Sequence, residues 1–165
     1  MTADESTALP IAVIDLDGVV ADVRPRLVHI LGASRDWARF FAGIPEDAVL
    51  AHGRAVVERL AADHEIVYLT GRPERTRRDT EHWLERHGLP TGRLFMRSER
   101  DRRPARMVKP RLLRELSRGR RVAVVVDDDP EVCAALEEAG WPVLRADWMP
   151  DDDTLHRAQE RRGRT

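Results

Sequence analysis

Two pairs of aspartates stand directly behind short apolar runs. Asp15 and Asp17 follow Ile11-Ala12-Val13-Ile14, and Asp127 and Asp128 follow Val122-Ala123-Val124-Val125-Val126. In an extended chain, residues two apart point to the same side. Asp15 and Asp17 can therefore face one site while Leu16 points into a core, and Gly18 lets the chain turn sharply. Two carboxylates held close repel, so one of them should have a raised pKa. That separates the roles: one stays ionised as nucleophile and metal ligand, and the other carries a proton as general acid. Asp127 and Asp128 add charge of the same sign. A hard divalent cation with oxygen ligands relieves the repulsion, and Mg2+ is the natural choice, with Asp15, Asp17, Asp127 and Asp128 as candidate ligands. The competing reading is that acids after strands cap the next helix, as Asp127 or Asp129 could before Pro130.

Two further residues suit phosphate chemistry. Thr70 follows an apolar run and precedes Gly71, so its hydroxyl and nearby backbone N–H groups can hold a phosphate oxygen; it can equally cap a helix. Of 28 Lys and Arg residues, Lys109 alone is lysine. A chain that uses arginine almost everywhere keeps a compact ammonium here, and the two side chains are not interchangeable where geometry matters. Lys109 is expected to open a helix, where a cation opposes the helix dipole. A local rule broken in this way marks a candidate for function, and beside a phosphoryl group Lys109 would neutralise developing charge.

The elements that must position these groups alternate. Strands are expected at Ile11–Ile14, Glu65–Leu69, Arg93–Met96, Arg121–Val126 and Pro142–Arg145, from their short apolar and β-branched runs. Helices are expected at Arg26–Leu31, Trp37–Ala42, Gly53–Ala62, Glu74–His87, Lys109–Arg118 and Pro130–Ala139, separated by Gly and Pro signals. Thr76, Thr80, Trp83 and Leu84 share a face of the fourth, and Leu112, Leu113 and Leu116 share one of the fifth. Such alternation predicts an α/β fold with a mostly parallel sheet, whose ligands bind beyond the carboxyl ends of the strands. All the candidate residues follow or flank those ends. One domain is expected over 1–150, with 21–62 as a helical insert or minimal cap and 151–165 as a charged, loosely ordered tail.

Composition narrows the function classes. Charged residues make up 35% and apolar residues 42%, and the net charge is -1. No global field therefore favours a polyanion or a membrane surface. No apolar run approaches the ~18 residues of a membrane span, and Met1–Leu9 has no basic-then-apolar pattern of a secretion signal. The single cysteine, Cys133, excludes an intramolecular disulfide. A cytoplasmic protein with no membrane association is expected. Two arginine clusters, 72–78 and 97–106, could track a phosphate backbone, but interleaved Asp79, Glu81, Glu99 and Asp101 fit a solvated face equally well. Trp37, Phe40 and Phe41 could cap the site, stack a base, or simply pack.

Asp15-Leu16-Asp17-Gly18-Val19, Thr70-Gly71-Arg72, Lys109 and Asp127-Asp128, in that order, resemble the four motifs of the haloacid dehalogenase (HAD) superfamily. The resemblance implies a Rossmann-like fold with at most a small helical cap. It implies Asp15 as nucleophile, Asp17 as general acid and base, Thr70 and Lys109 as phosphate ligands, and Mg2+ on Asp127 directly and on Asp128 through water. The second aspartate points to phosphoryl transfer. More narrowly, Leu69-Thr70-Gly71-Arg72, Phe95-Met96-Arg97 with its polar loop, Val108-Lys109 and Val126-Asp127-Asp128-Asp129-Pro130 are similar to the 3′-phosphatase domain of phage-type polynucleotide kinase-phosphatases. That similarity implies substrate contacts from Gly71, Arg72 and Arg97, with Arg103 in the same loop. Thr70 departs from the serine of the phage enzyme, and no phosphate-binding Gly-Lys-Ser/Thr motif of a kinase occurs in the sequence. The expected activity is removal of 3′-phosphates from DNA or RNA ends, with a separate kinase or ligase as the partner class. A nucleotidase or other small-molecule phosphatase, and a non-catalytic phosphate-binding protein, are the alternatives.

Overall fold

The computed structural model describes residues 8–149 and residue 157. The charged tail expected over 151–165 thus lies, but for Arg157, outside the described residues. Chain order gives β1 (Ile11–Ile14), β2 (Ala21–Asp22), α1 (Trp37–Ala42), β3 (Ala48–Val49), α2 (Ala51–Ala61), β4 (Glu65–Pro73), α3 (Arg77–Arg86), β5 (Arg93–Arg97), α4 (Ala105–Leu116), β6 (Val122–Asp127), α5 (Pro130–Glu138) and β7 (Val143–Arg145). Among the described residues, five strands form a parallel sheet in the order β5-β4-β1-β6-β7. β1 lies at its centre, and the strand order reverses between β1 and β6. This is the switch point at which open α/β sheets bind ligands.

The period-two rule sorts the core. Ile11 and Val13 join Val67, Leu69 and Val125 on the face covered by Ala105 and Leu113 of α4 and Val132 and Leu136 of α5. Ala12 and Ile14 join Ile66, Tyr68 and Val126 on the other face, under Val56 and Val57 of α2 and Trp83 of α3. Because β1 is covered on both faces, it reads as an unbroken apolar run rather than an alternating one. No helix among the described residues is long and apolar enough to cross a membrane.

Several expectations are corrected. The insert is not all helical: β2 and β3 pair antiparallel and close its ends together. The segment expected as a helix over Arg26–Leu31 is a 3-10 turn, Arg24–His29, entered through Pro25. β4 runs on through Thr70, Gly71 and Arg72 to Pro73, where Pro73 pairs with Arg97 of β5 after a break in register. α4 begins at Ala105 after Pro104, so Lys109 sits in its second turn and the helix-dipole argument does not apply to it. Pro110 lies inside α4.

Val23, Leu27, Ile30, Trp37, Phe40, Phe41 and Ile44 form a third apolar cluster within the insert, with Met149 against it. The three rings are buried in edge and stacked contacts with one another. They pack the insert and offer no open face for a base.

The loop after β1 is gripped from behind. The Val19 carbonyl accepts from the Trp148 indole at 2.8 Å, and α2 approaches so closely that a Cβ on Gly53 would lie 1.8 Å from the Val19 oxygen. Both obstructing groups are backbone, so neither can swing aside. Gly53→Ala should cost about 1–3 kcal/mol by overpacking and lower the Tm by several degrees. An unchanged Tm in thermal unfolding would show that α2 can slide away from the loop.

Candidate active site

The chain turns directly after Asp15. The Leu16 carbonyl accepts from the N–H groups of Val19, Val20 and Ala21 at 3.2, 2.9 and 2.9 Å, and Gly18 N–H donates to the Ala21 carbonyl at 3.0 Å. Gly18 adopts φ +80°, and a Cβ there would lie 2.0 Å from an oxygen of Asp128. Glycine is required twice over, for the backbone conformation and to leave room for that carboxylate.

Asp15, Asp127 and Asp128 each place a carboxylate oxygen within 4.8 Å of the others. The Lys109 ammonium lies 2.5 Å from Asp127 Oδ2 and 3.1 Å from Asp15 Oδ1. Asp127 Oδ1 is taken by the backbone N–H of Asp129 at 3.1 Å. Asp129, and not Asp127, is the helix cap, accepting from Glu131 and Val132 N–H. Lys109 reaches this cluster from α4; burial works against its charge, but Asp127 and Asp15 more than offset that and raise its ammonium above the usual range. Cys133 sits behind, with Sγ 3.4 Å from the Asp127 carbonyl; burial pushes its thiol up to about 12, so it is no nucleophile.

The two aspartates of the first motif diverge. Burial raises the Asp15 carboxyl well above its usual range; Lys109 opposes the rise, and Asp127, Asp128 and Asp17 add to it. Asp17 is buried too, but Arg72 and Arg26 more than offset the burial and hold its carboxyl below the usual range. Its carboxylate is engaged by these arginines rather than grouped with the other three acids. Asp17 Oδ1 accepts from Arg72 Nη2 at 2.6 Å, Arg72 Nε at 3.0 Å and Arg26 Nη2 at 3.0 Å. Its Oδ2 is buried and accepts nothing among the described residues.

One acid is thus raised and the other lowered, in the opposite sense to that required of an ionised nucleophile and a protonated acid. A divalent cation among Asp15, Asp127 and Asp128 would supply the missing positive charge. Three carboxylate oxygen donors within reach of one another fit Mg2+. The resident groups fit the cation by charge, donor type and spacing.

The remaining candidates lie at the same edge. Thr70 is buried, and its Oγ1 accepts from Arg72 N–H at 3.2 Å. It lies within β4 and caps no helix, while Gly71 and Arg72 continue the strand. Arg72 is fully buried, with its guanidinium turned inward to Asp17, Asp47 and Thr80. Arg97 is buried at the end of β5 and donates to the Arg103 carbonyl at 2.7 Å, but its Nε has no partner. Arg103 forks onto Asp101 at 3.0 and 2.7 Å. Arg75 and Arg77 pair with Glu99 and Glu74, so interleaved acids consume part of each arginine cluster.

Arg26 and Asp47 went unforeseen in the sequence. Arg26 is one of two arginines in the turn Arg24–His29, and Asp47 follows an ordinary Pro-Glu pair. Each is 3% exposed. Only the inward turn of both, at long sequence separation from Asp17, makes them part of the site.

The family follows from this constellation and from comparison. A model of the polynucleotide kinase PNKP phosphatase domain matches residues 10–148, and the chain belongs to this family of HAD-type phosphatases. No curated protein sequence matches the chain. Among solved structures, one of the Pnkp1/Rnl/Hen1 RNA repair complex is similar at a TM-score of 0.68 and 24% identity, covering 88% of this chain and 45% of that one. The chain therefore spans about half the length of that relative. A haloacid dehalogenase-like hydrolase from Streptococcus pneumoniae, SP0104, gives 0.62 and 16% over 93% and 92% of the two chains. YfnB from Bacillus subtilis, in a structure with magnesium bound, gives 0.57 and 10% over 83% and 88%. At these identities the likeness is one of fold.

If the three acids hold a cation, Mg2+ should stabilise the fold by mass action. A concentration about 100-fold above Kd adds about 2.7 kcal/mol, enough to raise the Tm by several degrees. Asp127→Asn should abolish the rise. A Tm indifferent to Mg2+ in the unaltered protein would remove the metal from the site.

Proposed function

We propose that the chain is a phosphomonoesterase that removes 3′-phosphates from polynucleotide ends through a phosphoryl group carried on Asp15. The reading rests chiefly on one observation: Lys109 lies between Asp15 and Asp127, with Asp128 beside them and a second acid, Asp17, two residues from the first.

In the first step a carboxylate oxygen of Asp15 attacks phosphorus in line. The ester P–O bond breaks, its electron pair goes to the leaving oxygen, and that oxygen takes a proton from Asp17. In the second step Asp17 accepts a proton from water as the water oxygen attacks phosphorus. The P–O bond to Asp15 breaks, releasing inorganic phosphate and restoring the carboxylate. Lys109 and Thr70 would hold phosphoryl oxygens, and the ammonium would meet the negative charge that develops on them. Mg2+ held by Asp15, Asp127 and Asp128 would neutralise the acids around the nucleophile and polarise the phosphoryl group.

The polynucleotide substrate draws support from Arg97 and its loop. A buried arginine with an unpartnered Nε is suited to an anion, because guanidinium groups grip phosphates with several donors at once. It stands at the site edge of β5, next to an open hollow of about 520 Å³ lined by Ser98, Arg100, Asp101, Arg102 and Arg103. A strand entering with its terminal phosphate at Asp15 could set its next phosphates against this loop, where Arg103 would be one contact and Arg72 and Gly71 would border the first. A kinase or a ligase acting on the same ends would be a natural partner: the similar Pnkp1 structure is an assembly with Rnl and Hen1.

Asp15→Asn should abolish turnover, since an amide cannot form the acyl phosphate, and EDTA should stop the reaction until Mg2+ is restored. For a polynucleotide substrate, kcat/KM should rise from a 3′-phosphorylated mononucleotide to a trinucleotide and a longer strand, and fall as salt rises, because binding releases counterions. Arg97→Ala should harm the longer strand more than an aryl phosphate. A flat length series without salt dependence would leave a small-molecule phosphatase, and full activity in Asp15→Asn would end the covalent route.

A further inference from the structure

Residues 146–148, just past β7, join the two acid-bearing loops of the site. The Ala146 N–H donates to the Asp127 carbonyl at 2.8 Å. Two residues on, the Trp148 indole N–H donates to the Val19 carbonyl at 2.8 Å. One end of this short strap is therefore fixed to the acid that ends β6, and the other to the turn that follows Asp15. The indole is itself held. It stacks on the His52 ring, with centroids 4.5 Å apart and planes within 7° of parallel, and it packs against the core cluster that contains Val56 and Val57 of α2.

The turn is braced internally. The Leu16 carbonyl takes the N–H groups of Val19, Val20 and Ala21, and Gly18 N–H closes onto the Ala21 carbonyl. One side is anchored by Leu50 N–H on the Val20 carbonyl at 2.9 Å and by the pairing of Ala21 with Val49. The other side meets Asp128, whose Oδ2 lies 2.0 Å from where a Cβ on Gly18 would stand. The depth at which Gly18 is seated thus decides where the Asp128 carboxylate can rest. Val19 is wholly buried. Without the indole its carbonyl loses a donor inside the protein, and a buried carbonyl short of a partner draws its backbone toward another.

We propose that Trp148 is a positioning residue for the candidate cation site. Held flat by His52, it sets the depth of the Gly18–Val19 turn and, through Gly18, the place of the Asp128 carboxylate relative to Asp15 and Asp127. The proposal rests on the reading of these three acids as a Mg2+ site. Mg2+ makes the consequence sharp, because it demands near-ideal octahedral geometry at short distances, whereas Ca2+ accepts longer and more varied contacts. Loss of the indole donor should therefore weaken Mg2+ more than Ca2+. A change that merely loosened the fold would weaken both alike.

The test is calorimetric titration of the whole, metal-stripped protein with MgCl2 and with CaCl2, without substrate, so that no turnover enters the measurement. Trp148→Phe keeps a ring beside His52 and removes the N–H. Its Kd for Mg2+ should rise ~10–100-fold, as for other groups that orient metal ligands without touching the metal, while its Kd for Ca2+ changes by only a few-fold. His52→Ala, at an exposed position, removes the stacking plate and should give a smaller loss in the same direction. His52→Tyr restores a ring and should restore the Mg2+ affinity. Equal weakening of the two ions in Trp148→Phe, or an unchanged Mg2+ affinity, would overturn the proposal. Should Trp148→Phe not fold, the His52 variants decide alone, and the same Mg2+ Kd in both of them overturns it. If the unaltered protein binds no Mg2+, the cation site and this inference fall together. If it binds Mg2+ and the variants do not discriminate between the ions, only this inference falls.

Discussion

Crowding of carboxylates at one edge of a parallel sheet is the constraint that shapes this protein. Asp15, Asp127 and Asp128 converge there because β1 and β6 are neighbours that both end in acid. Such a group is unfavourable in a buried setting unless positive charge is brought to it. The Lys109 ammonium, from α4, lies against two of them, Asp15 and Asp127. Burial and the neighbouring acids raise the Asp15 carboxyl, with Lys109 opposing the rise. The three carboxylates fit a divalent cation by donor type and spacing.

Asp17 meets the same difficulty with a different solution. It is buried two residues from Asp15, yet its charge is balanced within the protein by Arg72 and Arg26, and theirs in turn by Asp47. The partners come from separate parts of the chain: β1, the 3-10 turn of the insert, the approach to β3, and β4. The aromatic cluster Trp37, Phe40 and Phe41 gives that insert a core of its own, and the Trp83 indole ties Asp47 to α3.

Much of the fold was legible because its signals are local. Apolar runs of four and five residues ending in acids place β1 and β6, and two-sided burial explains why they do not alternate. The positions of Asp15, Asp127, Asp128 and Lys109 at one edge follow from strand order alone. What was not legible depends on distant pairing. Arg26 reaches Asp17 from 9 positions along the chain, and Asp47 bonds Arg26 and Arg72 from 21 and 25 positions away; nothing in their immediate surroundings marks them. The β2–β3 ribbon is two residues long on each side, too short for any periodicity to register. Lys109 was displaced from a helix start because Pro104 and Ala105 begin α4 a turn earlier, and a proline inside the helix at Pro110 disguised the boundary.

The two charge solutions together explain how a pair of like residues, two apart, can hold different roles. Were both balanced by mobile cations, their protonation would rise and fall together. Here Asp15 stands among acids and the Lys109 ammonium, whereas Asp17 is held by arginines that are part of the fold. A cation held by Asp15, Asp127 and Asp128 would lower the first carboxyl, whereas Asp17 Oδ1 is already held by arginines. An arriving phosphate dianion acts in the other direction on the second, because negative charge nearby favours a proton on the one carboxylate oxygen that no N–H reaches. Binding would then set the nucleophile ionised and the acid protonated, reversing the order of the empty site. The two acids of one short motif thus stand in different charge environments, one among carboxylates and one among arginines.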